Sequence, residues 1–82
     1  MSEVTNDSKQ VLRFMLQSKV CDGAALIQLF SGDGQRAVDA LRPLIDEGLL
    51  ETNSIAFDAK TLPRTFFNLN FSSMSKARTL AS

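Results

Sequence analysis

Residues 22–50 of this chain read DGAALIQLFSGDGQRAVDALRPLIDEGLL and predict two helices separated by a short turn. The first helix covers the apolar residues 24–30, and Asp22 is well placed to cap its first N–H groups. The Ser-Gly-Asp-Gly sequence at 31–34 predicts a turn, because glycine adopts positive φ without strain and Asp33 is a good N-cap. The stretch therefore has the form helix, turn, helix.

The second of these helices extends from about residue 34 to residue 47. Gly48 follows its last turn, in the position where glycine commonly ends a helix. Pro43 lies inside the helix but opposite its apolar face, so the carbonyl that it leaves without a partner faces water and no break is required. The apolar face predicts burial and consists of Ala37, Val38, Leu41, Leu44 and Ile45.

A third helix precedes this stretch. Its apolar stripe consists of Val11, Leu12, Met15 and Leu16. The candidates for its N-cap are Asn6, Asp7 and Ser8. Phe14 lies to the side of the stripe, where it is either covered by the C-terminal strands or exposed for a partner.

The pattern changes after the second helix. Residues 49–57 and 64–71 predict two strands that form a hairpin around a loop at 58–63. One face of the second strand consists of Phe67, Leu69 and Phe71. Residues 1–7 predict a flexible N-terminus, and the tail at 72–82 is compatible with a flexible segment or a short helix. We expect one core, formed by Leu12, Met15, Leu26, Leu29, Phe30, Leu41, Leu44, Ile45, Leu49 and Phe67.

Composition excludes several kinds of site. Of the 82 residues 44% are apolar, which is enough for a small globular domain, and none is His, the commonest general base and metal ligand. Cys21 is the only cysteine, so an internal disulfide and a thiolate zinc site are excluded and a reducing compartment is expected. We find no catalytic or phosphate-loop motif and expect no enzyme activity, no metal and no cofactor. The first ten residues lack the apolar segment of a signal peptide, and no apolar run is long enough to span a membrane, so we expect a cytoplasmic protein.

Charge is unevenly distributed along the chain although the net charge is zero. Residues 1–51 carry five Lys and Arg against eight Asp and Glu, and residues 52–82 carry four against one. Dedicated nucleic-acid binders are usually basic overall. This chain is basic only locally.

The last turn of the second helix, Leu44-Ile45-Asp46-Glu47-Gly48-Leu49, has the form Leu-x-x-x-Gly-Leu. With Leu26, the turn at 31–32 and Leu41, it resembles the helix-turn-helix core of winged-helix regulators, such as the multiple-antibiotic-resistance-type repressors and the small pilus-operon regulators. The resemblance covers about residues 8–71. It implies an α+β winged helix-turn-helix fold of three helices followed by a two-stranded β-hairpin wing, with double-stranded DNA as partner. A dimer is expected because one domain of this size offers a single recognition helix.

The resemblance makes the outer face of the second helix the candidate recognition surface. Gln35 could pair bidentately with adenine and Arg36 with guanine, while Arg42 stands at the flank. Gly34 would let the backbone approach a phosphate near the helix N-terminus. Asp39 either accepts from a cytosine amino group or pairs with one of the two arginines.

The loop between the strands would be the wing. Lys60, Thr61 and Arg64 lie there and could contact phosphates. The alternative is an ordinary solvated turn.

Two functions remain open on the sequence. The first is a DNA-binding transcriptional regulator, which acts as a dimer and resides in the cytoplasm, on the nucleoid or in the nucleus. The second is a non-catalytic protein-interaction module on the same scaffold, which better explains the neutral charge and the acidic end of the second helix. Self-association is expected because Phe14 and some of Phe66, Phe71 and Leu80 exceed the needs of one small core. The alternative is that these apolar residues are simply scattered over the surface.

Overall fold

The protein is a small α+β domain, for which a computed structural model describes residues 4–54 and 56–81. Its helices are α1 (Asn6–Ser18), α2 (Gly23–Leu29), α3 (Gly34–Asp46) and α4 (Met74–Ala81). Its strands are β1 (Val20–Asp22), β2 (Leu50–Thr52) and β3 (Phe66–Leu69). Two single 3-10 turns stand at Leu62–Arg64 and Phe71–Ser73. The outermost residues of the expected N-terminal and C-terminal segments, 1–3 and 82, lie outside the described residues, as does residue 55 of the first expected strand.

The described residues contain one strand and one helix more than the three helices and two-stranded hairpin that the sequence predicts. β1 lies where the sequence indicates only a break between two helices. The sequence does not predict this strand, because three residues are too few to show a strand period. Residues 74–81 of the tail form α4, which packs along α1. The helix at the other end of the chain starts at Asn6, within the segment expected to be flexible.

The three strands form one antiparallel sheet in the order β1-β3-β2. Phe67, in the middle, pairs with Cys21 on one side and with Thr52 on the other. Phe67 and Leu69 are buried under the helices, while Phe66 points away from them and is exposed. The sheet thus has one apolar inner face and one outer face that is open to solvent.

The helix signals of the sequence are confirmed. The side chain of Asp22 accepts from the Ala25 N–H at 3.0 Å, and that of Asp33 accepts from the Arg36 N–H at 3.1 Å. Gly48 has φ +73°, and its N–H and that of Leu49 bond back to the last carbonyls of α3. α3 continues through Pro43, as its position on the outer side allows.

The cap of α1 differs from the sequence prediction. Thr5 accepts from the Ser8 N–H at 3.1 Å, so the helix starts one residue earlier than its earliest predicted start. Ser8 does not cap the helix: its buried hydroxyl donates to the Ala40 carbonyl at 2.7 Å. This bond ties α1 to α3.

Both strands of the hairpin are shorter than the sequence predicts. β2 ends at Thr52, because Asn53 turns the chain and its side chain accepts from the Phe66 N–H at 2.9 Å. Arg64 belongs to a 3-10 turn before β3, and Phe71 belongs to another one after it. Phe71 is therefore not part of the inner strand face and is exposed.

The core contains most of the residues that the sequence predicts, together with several from the loop and from α4. Leu29 and Ile45 are partly buried at its margin, as are Phe14 and Leu80. Cys21 is half-buried with its Sγ 3.2 Å from the Met15 Sδ, and burial raises the pKa of its thiol to about 11. The predicted residues that are buried are Leu12, Met15, Leu26, Phe30, Leu41, Leu44, Leu49 and Phe67. The additional ones include Phe57, Leu62, Leu69, Ala77 and Ala81.

No helix within residues 4–54 and 56–81 has both the length and the apolar character needed to cross a membrane.

Candidate nucleic-acid interface

Helix α3 packs against the core on its inner side and leaves its outer face exposed. Its inner side is buried against α1 and α2, with Leu41 and Leu44 fully covered. Gln35, Arg36 and Asp39 are exposed on the opposite side. The helix is therefore braced as a recognition helix would be.

The loop between β2 and β3 folds back onto the first turn of α3. A Cβ at Gly34 would stand 3.4 Å from the Cβ and the carbonyl oxygen of Ala59. The space that Gly34 leaves open is thus in contact with the loop. The same contact brings Lys60 and Thr61 beside the start of α3, although 25 or more residues separate them in the chain.

Gln35 bonds within its own helix. Its Nε2 donates to the Asp39 Oδ1 at 3.0 Å, one turn further along. The expectation that Asp39 pairs with Arg36 or Arg42 is therefore wrong in this structure. Both arginines find other acceptors, Asp7 for Arg36 and the Phe57 carbonyl for Arg42.

Arg36 is held by a residue of α1. Its Nε donates to the Asp7 Oδ2 at 2.8 Å and its Nη2 to the Asp7 Oδ1 at 2.9 Å. The guanidinium carbon lies 5.2 Å from the centroid of the Phe30 ring. The hydrogen bonds from Arg36 lower the pKa of Asp7, so the pair is charged at neutral pH.

Arg42 joins α3 to the loop. Its Nη2 donates to the Phe57 carbonyl at 2.7 Å, and its guanidinium lies 4.3 Å from the centroid of the Phe57 ring. Phe57 is buried and packs edge-on against Phe67, with the ring centroids 5.4 Å apart. Arg42 thereby fixes the loop on the flank of the helix.

The tip of the loop is a tight turn built on Asp58. Its Oδ1 accepts from the N–H groups of Lys60 and Thr61, each at 2.9 Å, and these bonds lower its pKa. The Thr61 hydroxyl bonds to the Asp58 N–H at 2.9 Å. The side chains of Lys60 and Arg64 are exposed. The loop as a whole therefore presents two cations and one carboxylate.

The far end of the loop is anchored on α2. The Gly23 N–H donates to the Thr65 carbonyl at 2.8 Å, and a Cβ at Gly23 would overlap the carbonyl of Leu62. Leu62 itself is fully buried. This anchor keeps the loop close to both helices of the helix-turn-helix segment.

Several residues that shape the surface were not singled out as such from the sequence. The sequence indicates Asp7 only as a candidate helix cap and Phe57 only as the end of a strand. A side chain that pairs across 29 residues leaves no periodic pattern in the sequence.

The surface carries four basic side chains and five carboxylates. Its basic side chains are Arg36, Arg42, Lys60 and Arg64. Its carboxylates are Asp7, Asp33, Asp39, Asp46 and Asp58. The basic groups lie on the loop and along the two edges of the outer face of α3. Asp39 and Asp46 lie along the centre line of that face, the latter at the end of the helix.

Among residues 4–54 and 56–81 we find no pocket and no cluster of three or more metal-ligating side chains. No family model, curated protein or solved structure matches the chain.

Proposed function

We propose that this chain is a winged helix-turn-helix domain that binds double-stranded DNA and acts as a transcriptional regulator. The order α1-β1-α2-α3-β2-β3, with β3 in the middle of an antiparallel sheet, is compatible with a winged helix. In this assignment α3 enters the major groove and the loop at 53–65 is the wing. The domain is non-catalytic, and its location is the cytoplasm, the nucleoid or the nucleus.

The observation that carries the proposal is the contact of Ala59 with Gly34. It brings the part of the loop that carries Lys60 and Thr61 close to the first turn of α3, which carries Gln35 and Arg36. An interface that reads bases from a helix start and holds the backbone from a wing needs this proximity.

A dimer belongs to the proposal. One domain of this size offers a single recognition helix, with roughly 600–1,000 Å² of contact surface. Two copies on repeated half-sites would give useful affinity and specificity. Exposed apolar side chains that could serve the contact are Val20, Phe66 and Phe71.

The test is the salt dependence of duplex binding in matched variants. Arg64→Ala removes a loop cation, and Arg78→Ala removes an exposed cation on α4. We expect Arg64→Ala to weaken all duplexes and to reduce the slope of log K against log salt by about one unit. Arg78→Ala should leave both unchanged. The proposal fails if the wild-type protein binds no duplex at about 50 mM salt, or if the two variants behave alike.

A second candidate, a protein-interaction module, is favoured by the carboxylates of α3. Asp39 and Asp46 are exposed on the outer face, whereas Arg36 and Arg42 lean to the flanks onto other partners. Such a surface repels phosphate and suits a basic protein segment. If duplex binding is absent in both wild type and Asp39→Asn, this candidate replaces the first. Lys- and Arg-rich peptides should then bind wild type and lose affinity with Asp39→Asn.

A further inference from the structure

The Asp7–Arg36 pair has a geometry that leaves part of the guanidinium available. Asp7 uses the side-on edge, which is formed by Nε and Nη2. A guanidinium has five N–H donors, and these two bonds engage two of them. The end-on edge, with one N–H from Nη1 and one from Nη2, has no acceptor among the described residues. The side chain of Arg36 is 53% exposed, so this edge is accessible.

Arg36 is restrained from two sides. The carboxylate of Asp7 fixes the edge of the guanidinium, and the Phe30 ring, itself buried, lies beneath its carbon atom. A long side chain that is already ordered in the free protein loses less conformational entropy when it binds. An exposed ion pair of this kind contributes little to folding stability. Its main consequence is therefore the orientation of Arg36.

We propose that Asp7 is a positioning residue of the interface, which holds Arg36 side-on so that its end-on edge binds the O6 and N7 atoms of a guanine in the major groove. The end-on edge has the two parallel donors that this pair of acceptors requires. Asp7 acts through Arg36 and does not itself contact the base. The inference rests on the proposed DNA-binding function and adds a residue from α1 to the reading of sequence.

Positioning and simple charge repulsion predict different results for Asp7→Asn. If Asp7 were only a negative charge near phosphate, its removal would tighten all duplexes equally. If it positions Arg36, its removal lowers discrimination at one base pair, while affinity for unrelated duplexes stays the same or rises. The ratio of the affinities for the preferred duplex and for a duplex changed at that base pair separates positioning from charge repulsion. The affinity for one duplex alone does not.

The experiment starts from a duplex pool with randomised positions, from which wild type selects its preferred site. Arg36→Ala identifies the base pair whose preference depends on Arg36. At that pair we expect Asp7→Asn to reduce discrimination on the order of tenfold and Asp7→Glu to restore part of it. The matched control is Glu47→Gln, which breaks a second exposed ion pair, Lys76–Glu47 at 2.9 Å, at the far end of α3. It should leave discrimination intact.

Two outcomes overturn the inference alone: duplex binding with unchanged discrimination in Asp7→Asn, or an equal loss in Glu47→Gln. Absence of duplex binding by wild type overturns the proposed function together with the inference. Discrimination that falls in Asp7→Asn and in Arg36→Ala at the same base pair, but not in Glu47→Gln, supports it.

Discussion

Gly23 and Gly34 each begin a helix and each face the loop between β2 and β3, but they leave different amounts of room. A methyl group at Gly23 would overlap the Leu62 carbonyl, whereas at Gly34 it would only touch Ala59. We expect Gly23→Ala to lower the free energy of unfolding by about 1–3 kcal/mol, because backbone must move to accept it. Gly34→Ala should change it by less than about 1 kcal/mol, since alanine also favours the helix.

Urea denaturation of the two variants beside wild type measures both changes. Equal midpoints for Gly23→Ala and wild type would contradict the close approach of the loop to α2. A large loss for Gly34→Ala would mean that the contact with Ala59 is tighter than 3.4 Å implies.

At the scale of elements, α4 contributes buried residues to the domain. Ala77 and Ala81 are buried against the rest of the fold, and the Arg13 Nε donates to the Ala81 carbonyl at 2.8 Å. Small residues let α4 approach α1 closely. The tail therefore forms part of the packed domain and lies along α1.

A charge on the inner side of α4 should separate it from α1. We expect Ala77→Asp to lower the free energy of unfolding by about 3 kcal/mol or more, because the carboxylate would be buried without a partner. Ser75→Asp, on the exposed side, is the control and should stay within about 0.5 kcal/mol of wild type. Chemical denaturation of both variants provides the comparison, and similar stabilities would show that α4 contributes no buried surface.

At the scale of the whole molecule, the outer sheet face is the candidate surface for self-association. Val20 pairs with Asn68, which lies two residues after Phe66 in β3, so the side chains of Val20 and Phe66 share one face of the sheet. They are 62% and 56% exposed. We expect sedimentation at micromolar concentration to give twice the 9.0 kDa mass of one chain. Phe66→Ser should shift the protein toward monomer. A wild-type monomer at that concentration would remove the dimer from the proposed function.

The sequence predicts on which side of α3 the candidate site residues lie, but it does not predict which residues they contact. The sequence places Gln35 and Arg36 on the outer side of α3 correctly, because helical periodicity alone assigns a side. It does not indicate that Arg36 pairs with Asp7 or that Arg42 packs over Phe57. Each of these cationic side chains had several acceptors within reach of its element.

The sequence by itself determined where α2 and α3 begin and end and which of their faces are buried. Caps such as Asp22 and Asp33 and the C′ glycine at 48 act within one helical turn, so local chemistry is sufficient. Only the tertiary structure decided that the loop folds back onto α3 and that β1 completes the sheet. Those outcomes depend on hydrogen bonds and buried contacts between segments far apart in the chain, such as the Gly23–Thr65 bond, whose partners are chosen when the core packs.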